Sequence, residues 1–327
     1  MNLPRTRVHV ASAHEIPRSE TTASANLRGV AALALALLVF SLQDVAVKWI
    51  GGAYPVMQIA LLRSVVALPC TIAFLRYEGA RGLPNTRQHK LQYLRGFLLF
   101  LSFTTYMMAI AALPLADISA IRNSGPLVIT LLSVVWLGEK VGPHRWLALL
   151  VGFGGVLLIV RPGSATFDPG SVFALLATLF YALSVMITRT LRATDSSATM
   201  AYYSSWVYLV AGLALAPVAI LVGEAPDAHP SVAFFLRAWA MPTVLDLAIM
   251  CGLGLIWTAG MYLMTRAYSL AEASVAAPFE YSTLLYNVVW GLVLWQEVPT
   301  VLTLAGALLT LSSGLYIWLR ERRRLTS

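Results

Sequence analysis

"AIRNSGPLVITLL", residues 120–132, sets an arginine about one turn into an apolar run of helix length. A charge in hydrocarbon costs at least ~2.5–3.5 kcal/mol on insertion scales. The run can be a membrane span only if something compensates for Arg122 or uses it. The rest of the chain favours the span. Of its 327 residues, 58% are hydrophobic and 12% charged, against about 25% charged in a soluble domain. This is a membrane class by composition.

The net charge of +8 does not mark a nucleic-acid binder, because the basic residues sit between and beyond the apolar runs rather than on one patch. The two cysteines, Cys70 and Cys251, lie inside apolar runs and give neither a disulfide framework nor metal spacing. All five histidines lie outside the apolar runs. The sequence therefore calls for no metal and no cofactor.

A span needs about 20 apolar residues. Spans are expected near 29–49, 54–76, 91–112, 117–137 and 143–161, then 170–190, 198–222, 244–268, 273–295 and 300–319. This is an all-α membrane protein of ten transmembrane helices. Residues 1–28 read as a disordered cytoplasmic tail, not a cleaved signal peptide; 321–327 form a basic cytoplasmic tail. The longest connection, "GEAPDAHPSVAFFLRAWAMPT" (223–243), leaves room for a short interfacial helix carrying Trp239 between Pro230 and Pro242.

Of 23 Lys and Arg, only Lys48, Arg161 and Arg237 fall on the side opposite the N-terminus, while Arg63 and Arg122 lie within spans. The remainder sit on the N-terminal side. Cytoplasmic segments carry the excess of Lys and Arg, so both termini are expected in the cytoplasm.

The two halves look related. "LPLADISA" (113–120) matches "YSLAEASV" (268–275), and "SGPLVITLLSVVWLGE" (124–139) matches "STLLYNVVWGLVLWQE" (282–297). An odd number of spans per half inverts the second half, a plan used by carriers that alternate access about a midplane site. The expected units are 29–161 and 170–320, two inverted five-helix repeats. In this register Arg122 aligns with Glu280.

The segments "PLADISAI…GPLVITLLSVVWLGEKVG" and "GFGGVLLIVRPG" in the first half, and "AEASVAAPFEYSTLL…WQEVPT" in the second, resemble the EamA-type drug/metabolite transporters. So do "LRG" (94–96) and "LLRSVVALP" (61–69). The likeness covers about residues 29–320 and is nearest to bacterial members, including S-adenosylmethionine and riboflavin carriers. It implies a ten-span carrier of a small metabolite in the inner (plasma) membrane, and no enzyme.

The residues that would carry chemistry are Asp44, Arg63, Arg122 and Glu280. At ~1.5 Å per residue, Arg122 sits roughly 8 Å below the outer boundary, with Asp44 at similar depth and Arg63 near the middle of its span. Glu280 sits roughly 10 Å above the inner boundary on the same rise. One carboxylate cannot neutralise two guanidinium groups, so a bound anion, a lipid headgroup or carbonyl oxygens must satisfy the excess. Arg122 is expected to hold a substrate carboxylate or phosphate. Glu280 or Asp44 would take a coupling proton, and Glu280 a cationic group, unless Asp44 pairs with one arginine, and Glu280 bonds a nearby Tyr, Ser or Thr, only to lock helices together. Trp206 and Trp257 suit stacking on a planar ring, with Tyr281 beside Glu280. Asp117 and Glu272 read as helix-start caps, Glu139 and Glu297 as interfacial helix ends, and Pro126 and Pro278 as kinks. "GFGGV" (152–156) reads as close helix packing through small residues.

The function expected is secondary transport of a small polar metabolite by alternating access, with S-adenosylmethionine, an amino acid or riboflavin as candidates. No phosphate-binding loop for ATP is present, so the drive would be a proton gradient or exchange. Partners are the metabolite and membrane lipids, with no nucleic acid; a homodimer is compatible. The alternative is a membrane-embedded lipid-modifying enzyme. It is disfavoured because the spans hold no histidine and their acids are dispersed.

Overall fold

The computed structural model describes residues 18–77, 84, 86–137, 142–191, 194–223, 225, 227–270 and 277–326. Glu139 and Glu272 lie outside them. In chain order the helices are α1 (Arg18–Ile50), α2 (Val56–Tyr77), α3 (His89–Ile110), α4 (Leu115–Arg122), α5 (Gly125–Leu137) and α6 (Pro143–Val160). Then come α7 (Gly170–Leu191), α8 (Ser197–Val222), α9 (Pro230–Leu236), α10 (Val244–Leu270), a 3-10 turn (Ala277–Tyr281), α11 (Ser282–Trp295) and α12 (Val301–Thr326). Helix α1 begins at Arg18, eleven residues before the span expected from sequence; residues 1–17 of the expected tail lie outside the described residues. Pro17 precedes the helix, and no Gly or Pro interrupts its first turns until Gly29.

Local chemistry sets the ends. Gly51 and Gly52 follow α1, with the Gly51 N–H bonded to the Val47 carbonyl at 2.8 Å. Arg161, left-handed at φ 51°, ends α6 ahead of Pro162. Thr243 starts α10 as an N-cap: its hydroxyl accepts from the Asp246 N–H (3.1 Å) and donates to the Asp246 carboxylate (2.7 Å). The short helix expected in 223–243 is α9. Trp239 lies beyond it, in an extended segment pinned to α2 by two bonds between Gln58 and the Ala240 backbone.

Seven described helices are long and apolar enough to cross a membrane, among them Leu27–Ile50, Leu115–Val135 and Val301–Leu319. The protein is an all-α, multi-pass membrane protein. Polarity is distributed as that requires. Val135, Leu221 and Val301 expose 77%, 81% and 81% of their surface, while Asp44, Arg63 and Asn287 are buried at 1%, 2% and 0%. Lipid accepts the apolar faces, and charge is tolerated only where the bundle's interior partners it.

Helix α1 packs along α10, α3 along α7, α2 along α8, and α6 along α12. The last seam is backbone to backbone. A Cβ on Gly155 would stand 2.6 Å from the Gly306 carbonyl oxygen, and one on Gly306 would stand 2.5 Å from the Gly155 oxygen. Thr310 bonds the Gly306 and Gly152 carbonyls (2.9 and 3.4 Å), and Ser313 bonds that of Ala148. The "GFGGV" stretch is thus a packing surface. Gly155→Val should lower the melting temperature in detergent, since overpacking costs about 1–3 kcal/mol, and Gly154→Val should not, because a Cβ there meets nothing within 4 Å.

Candidate functional site

Between α1, α3, α4, α5, α7, α8, α10 and the 3-10 turn lies a cavity of about 370 Å³, within the ~300–1,000 Å³ of small-molecule sites. Arg122, Trp257, Glu280 and Tyr281 line it, with Gln43, Phe103, Tyr106, Asn123, Tyr181 and Tyr208.

Arg122 reaches the cavity because the apolar run around it is broken. Helix α4 ends at Arg122, the Asn123 N–H closes back on the Ser119 carbonyl (2.9 Å), and α5 restarts at Gly125. Pro126 is the second residue of α5 and not a mid-helix kink. Its missing N–H falls where first-turn donors are unpaired anyway. Pro278 lies likewise in the 3-10 turn before α11. Irregular backbone at membrane depth is tolerated where it lines a cavity. Asn123 at the α4–α5 break and Glu280 and Tyr281 in the 3-10 turn do so. Arg122 is exposed, and that surface faces the cavity; its guanidinium carbon stands 5.0 Å from the Tyr106 ring centre. Tyr181 lies in the electrostatic field of both Arg122 and Glu280.

Asp44 lies in the electrostatic field of Arg122 and is tied by hydrogen bonds to neighbouring helices. Its Oδ2 accepts from Tyr106 Oη (2.8 Å) and Asn287 Nδ2 (3.0 Å), and Asn287 also donates to Ser119 Oγ (2.6 Å). Asp44 Oδ1 has no hydrogen-bond partner. One carboxylate thus joins α1, α3, α4 and α11. Asn287 carries no charge, but it is the lone amide in the apolar run "STLLYNVVWGLVLW", a signal that could have singled it out.

Arg63 stands behind the aromatic wall of the cavity. Its guanidinium carbon is 4.1, 4.7 and 5.2 Å from the ring centres of Phe103, Trp257 and Tyr208, a cation–π stack that leaves Nε and Nη1 without hydrogen-bond partners. Trp206 lies outside the lining and is 42% exposed. Arg95, counted from sequence among the cytoplasmic-side charges, is buried at 9% and donates to Thr188, Ser204 and the Met200 carbonyl.

Toward one end of the bundle, polar contacts cross-link the helices. Lys48 pairs with Glu297, donates to the Leu113 carbonyl (3.3 Å) and lies over the Trp295 ring. The other Glu297 oxygen accepts from the Leu115 N–H at the start of α4 (3.1 Å), where a negative charge is favoured. Glu297 is therefore a cross-link, not only an interfacial helix end. Asp117, in the first turn of α4, accepts from Thr303 Oγ1 (2.7 Å). At this same end Tyr54 donates to Asp246 (2.7 Å). The lining extends the other way, to Leu37, Ile129, Val185 and Met264.

A family model described as the EamA-like transporter family matches residues 27–161 and again 168–319. The chain belongs to the EamA-like transporter family. That is a family of transporters, not enzymes, and among the described residues no three His, Cys, Asp or Glu gather as a metal site. This EamA-like protein is 26% identical over 302 residues to the S-adenosylmethionine uptake transporter of Rickettsia bellii, covering 91% of this chain and 96% of the relative. It is 29% identical to the pseudopaline exporter of Pseudomonas aeruginosa strain UCBPP-PA14 (86% and 92% covered). It is 28% identical to the riboflavin transporter of Vibrio cholerae (83% and 85% covered). A crystal structure of 17% identity shares the fold with a TM-score of 0.59, over 92% of this chain and 98% of that one.

Proposed function

We propose that this EamA-like protein is a secondary carrier of a small polar metabolite bearing both signs of charge, working by alternating access in a bacterial inner membrane. The observation that carries the reading is the cavity between the α4–α5 break and the 3-10 turn that leads into α11. Arg122 stands at the break and Glu280 in the turn, with tyrosines and Trp257 between. Discontinuous helices facing a midplane site are a recurring device of carriers. Arg122 would hold a carboxylate or phosphate, helped by the partial positive charge at the start of α5. Glu280 would take the cationic group or a proton, and Trp257 would stack on a ring. Arg63 and Asp44 would brace this site from behind, or reach the substrate themselves when the bundle rearranges.

The helix pairings support two inverted five-helix halves, 29–161 and 170–320. Exchanging α1, α2, α3, α4–α5 and α6 for α7, α8, α10, the 3-10 turn with α11, and α12 turns the α1–α10 pair into α7–α3 and the α5–α7 pair into α11–α1. It leaves α2–α8 and α6–α12 unchanged. All these pairs are packed. The Lys/Arg imbalance supports cytoplasmic termini, and the cavity then opens toward the cytoplasm, with Lys48 and Glu297 closing the outer side. Substrates named for the relatives, S-adenosylmethionine and riboflavin, and simple amino acids are the candidates.

The test is uptake of radiolabelled S-adenosylmethionine, methionine and riboflavin into proteoliposomes, with and without a pH gradient or internal substrate. Uptake of at least one, stimulated by a gradient or by exchange, is expected. Glu280→Gln should flatten the pH dependence of that uptake; an unchanged profile would place coupling elsewhere. No uptake of any polar metabolite under either drive would end the reading.

A further inference from the structure

Two side chains in the cavity carry hydrogen-bonding capacity that the protein does not use. Gln43 precedes Asp44 on α1; it is 6% exposed, lines the cavity, and its Oε1 has no partner. Asn123 follows Arg122 at the end of α4. Its backbone N–H is bonded to Ser119, but its side-chain Nδ2 is buried without a partner, and the residue lines the same cavity. An unsatisfied buried polar group costs about 1–3 kcal/mol, which a bonded substrate group would recover. Turned either way, a carboxamide presents one donor and one acceptor side by side.

A planar group with its own adjacent donor and acceptor fits such an edge. An ionic head does not: carboxylates accept only and ammonium groups donate only. The amidine edge of an aminopurine and the imide edge of a flavin both qualify. Across the same cavity stand Phe103, Tyr106, Tyr208 and Trp257, which offer ring faces for stacking. The volume of about 370 Å³ leaves room for a ring beside a charged chain.

We propose that Gln43 and Asn123 read the hydrogen-bonding edge of a planar nitrogen heterocycle on the substrate, holding its face toward the Trp257 wall. This rests on the carrier reading and narrows it, since Arg122 and Glu280 take the charged part and the two amides select for the ring. Sites built to bond a polar edge reject analogues that lack it far more strongly than apolar pockets reject a missing methylene.

The experiment measures binding of radiolabelled S-adenosylmethionine, riboflavin and methionine to the purified full-length protein. Wild type is expected to bind one of the ring-bearing compounds. Gln43→Leu and Asn123→Leu should each weaken that binding about tenfold, consistent with the cost of an unpaired polar group, while any methionine binding changes less than about twofold on the same scale. A second arm needs no variant. Methylating the ring edge, on adenine N6 or on flavin N3, should weaken binding to wild type by a similar factor. Absence of ring binding by wild type, equal loss for methionine and ring compounds in the variants, or indifference to edge methylation would overturn the proposal. Methionine uptake without ring binding would sink this inference and leave the carrier reading standing. Edge-sensitive ring binding without uptake of any metabolite would do the reverse.

Discussion

Arg122→Ala should abolish uptake, by about a hundredfold or more, and Arg122→Lys should recover only about a tenth of it. Truncating one partner of a buried, hydrogen-bonded charge pair costs about 2–5 kcal/mol, and each 1.4 kcal/mol is tenfold in affinity. Lysine keeps the charge but loses the planar two-pronged contact. The bundle should survive the change. Asp44 loses the field of Arg122 but keeps its bonds to Tyr106 and Asn287, and the α4 end is closed by backbone bonds that do not use the guanidinium. Initial uptake rates normalised to inserted protein, alongside thermal melting, separate loss of binding from loss of fold. Full transport by the alanine variant would remove the anion-holding role from Arg122.

The second large effect is expected at the cross-linked end. Lys48→Ala or Glu297→Ala should shift the protein toward opening on that side. The pair is 13% and 21% exposed, so solvent screens it in part, and its loss is worth less than the about 3–5 kcal/mol of a fully buried pair. Even ~1.4 kcal/mol shifts a two-state population tenfold. Each partner has further duties there, Glu297 to the Leu115 N–H and Lys48 to the Leu113 carbonyl, and these fall with it. The readout is a single cysteine at Thr178, which lines the cavity, in a background lacking Cys70 and Cys251. Labelling by an impermeant maleimide from the Lys48 side should speed up about tenfold in either variant and return toward the original rate when the charges are exchanged, Lys48→Glu with Glu297→Lys. Equal labelling in all forms would show that the pair does not hold this end closed.

Much of the membrane architecture was legible in the sequence, because charge and apolarity in hydrocarbon carry large energies. That cost drew the eye to Arg122, Glu280, Asp44 and Arg63, and the structure sets the first two on one cavity with the others beside it. What uncharged side chains do was harder to read. Gln43, Asn123 and Asn287 cost less to bury, and nothing in their spacing says which face they occupy. Trp206 and Trp257 both sit mid-helix, and hydropathy alone does not say that Trp257 lines the cavity while Trp206 lies 42% exposed outside its lining. Arg95 looked like a boundary charge because its partners, Thr188 and Ser204, are distant in sequence. Pro126 looked like a kink because a continuous apolar run hides the break that precedes it.

The glycine seam of α6 and α12 has a mechanical corollary. With Gly155 and Gly306 in close backbone approach, and Thr310 and Ser313 bonded across to the Gly152 and Ala148 carbonyls, sliding one rod along the other would break those bonds. In the proposed carrier cycle, rocking of one half on the other would turn about this line, as a door swings on its pin. Spin labels placed across it would hold a constant separation through the cycle, while labels spanning α4 and α11 would move apart and together.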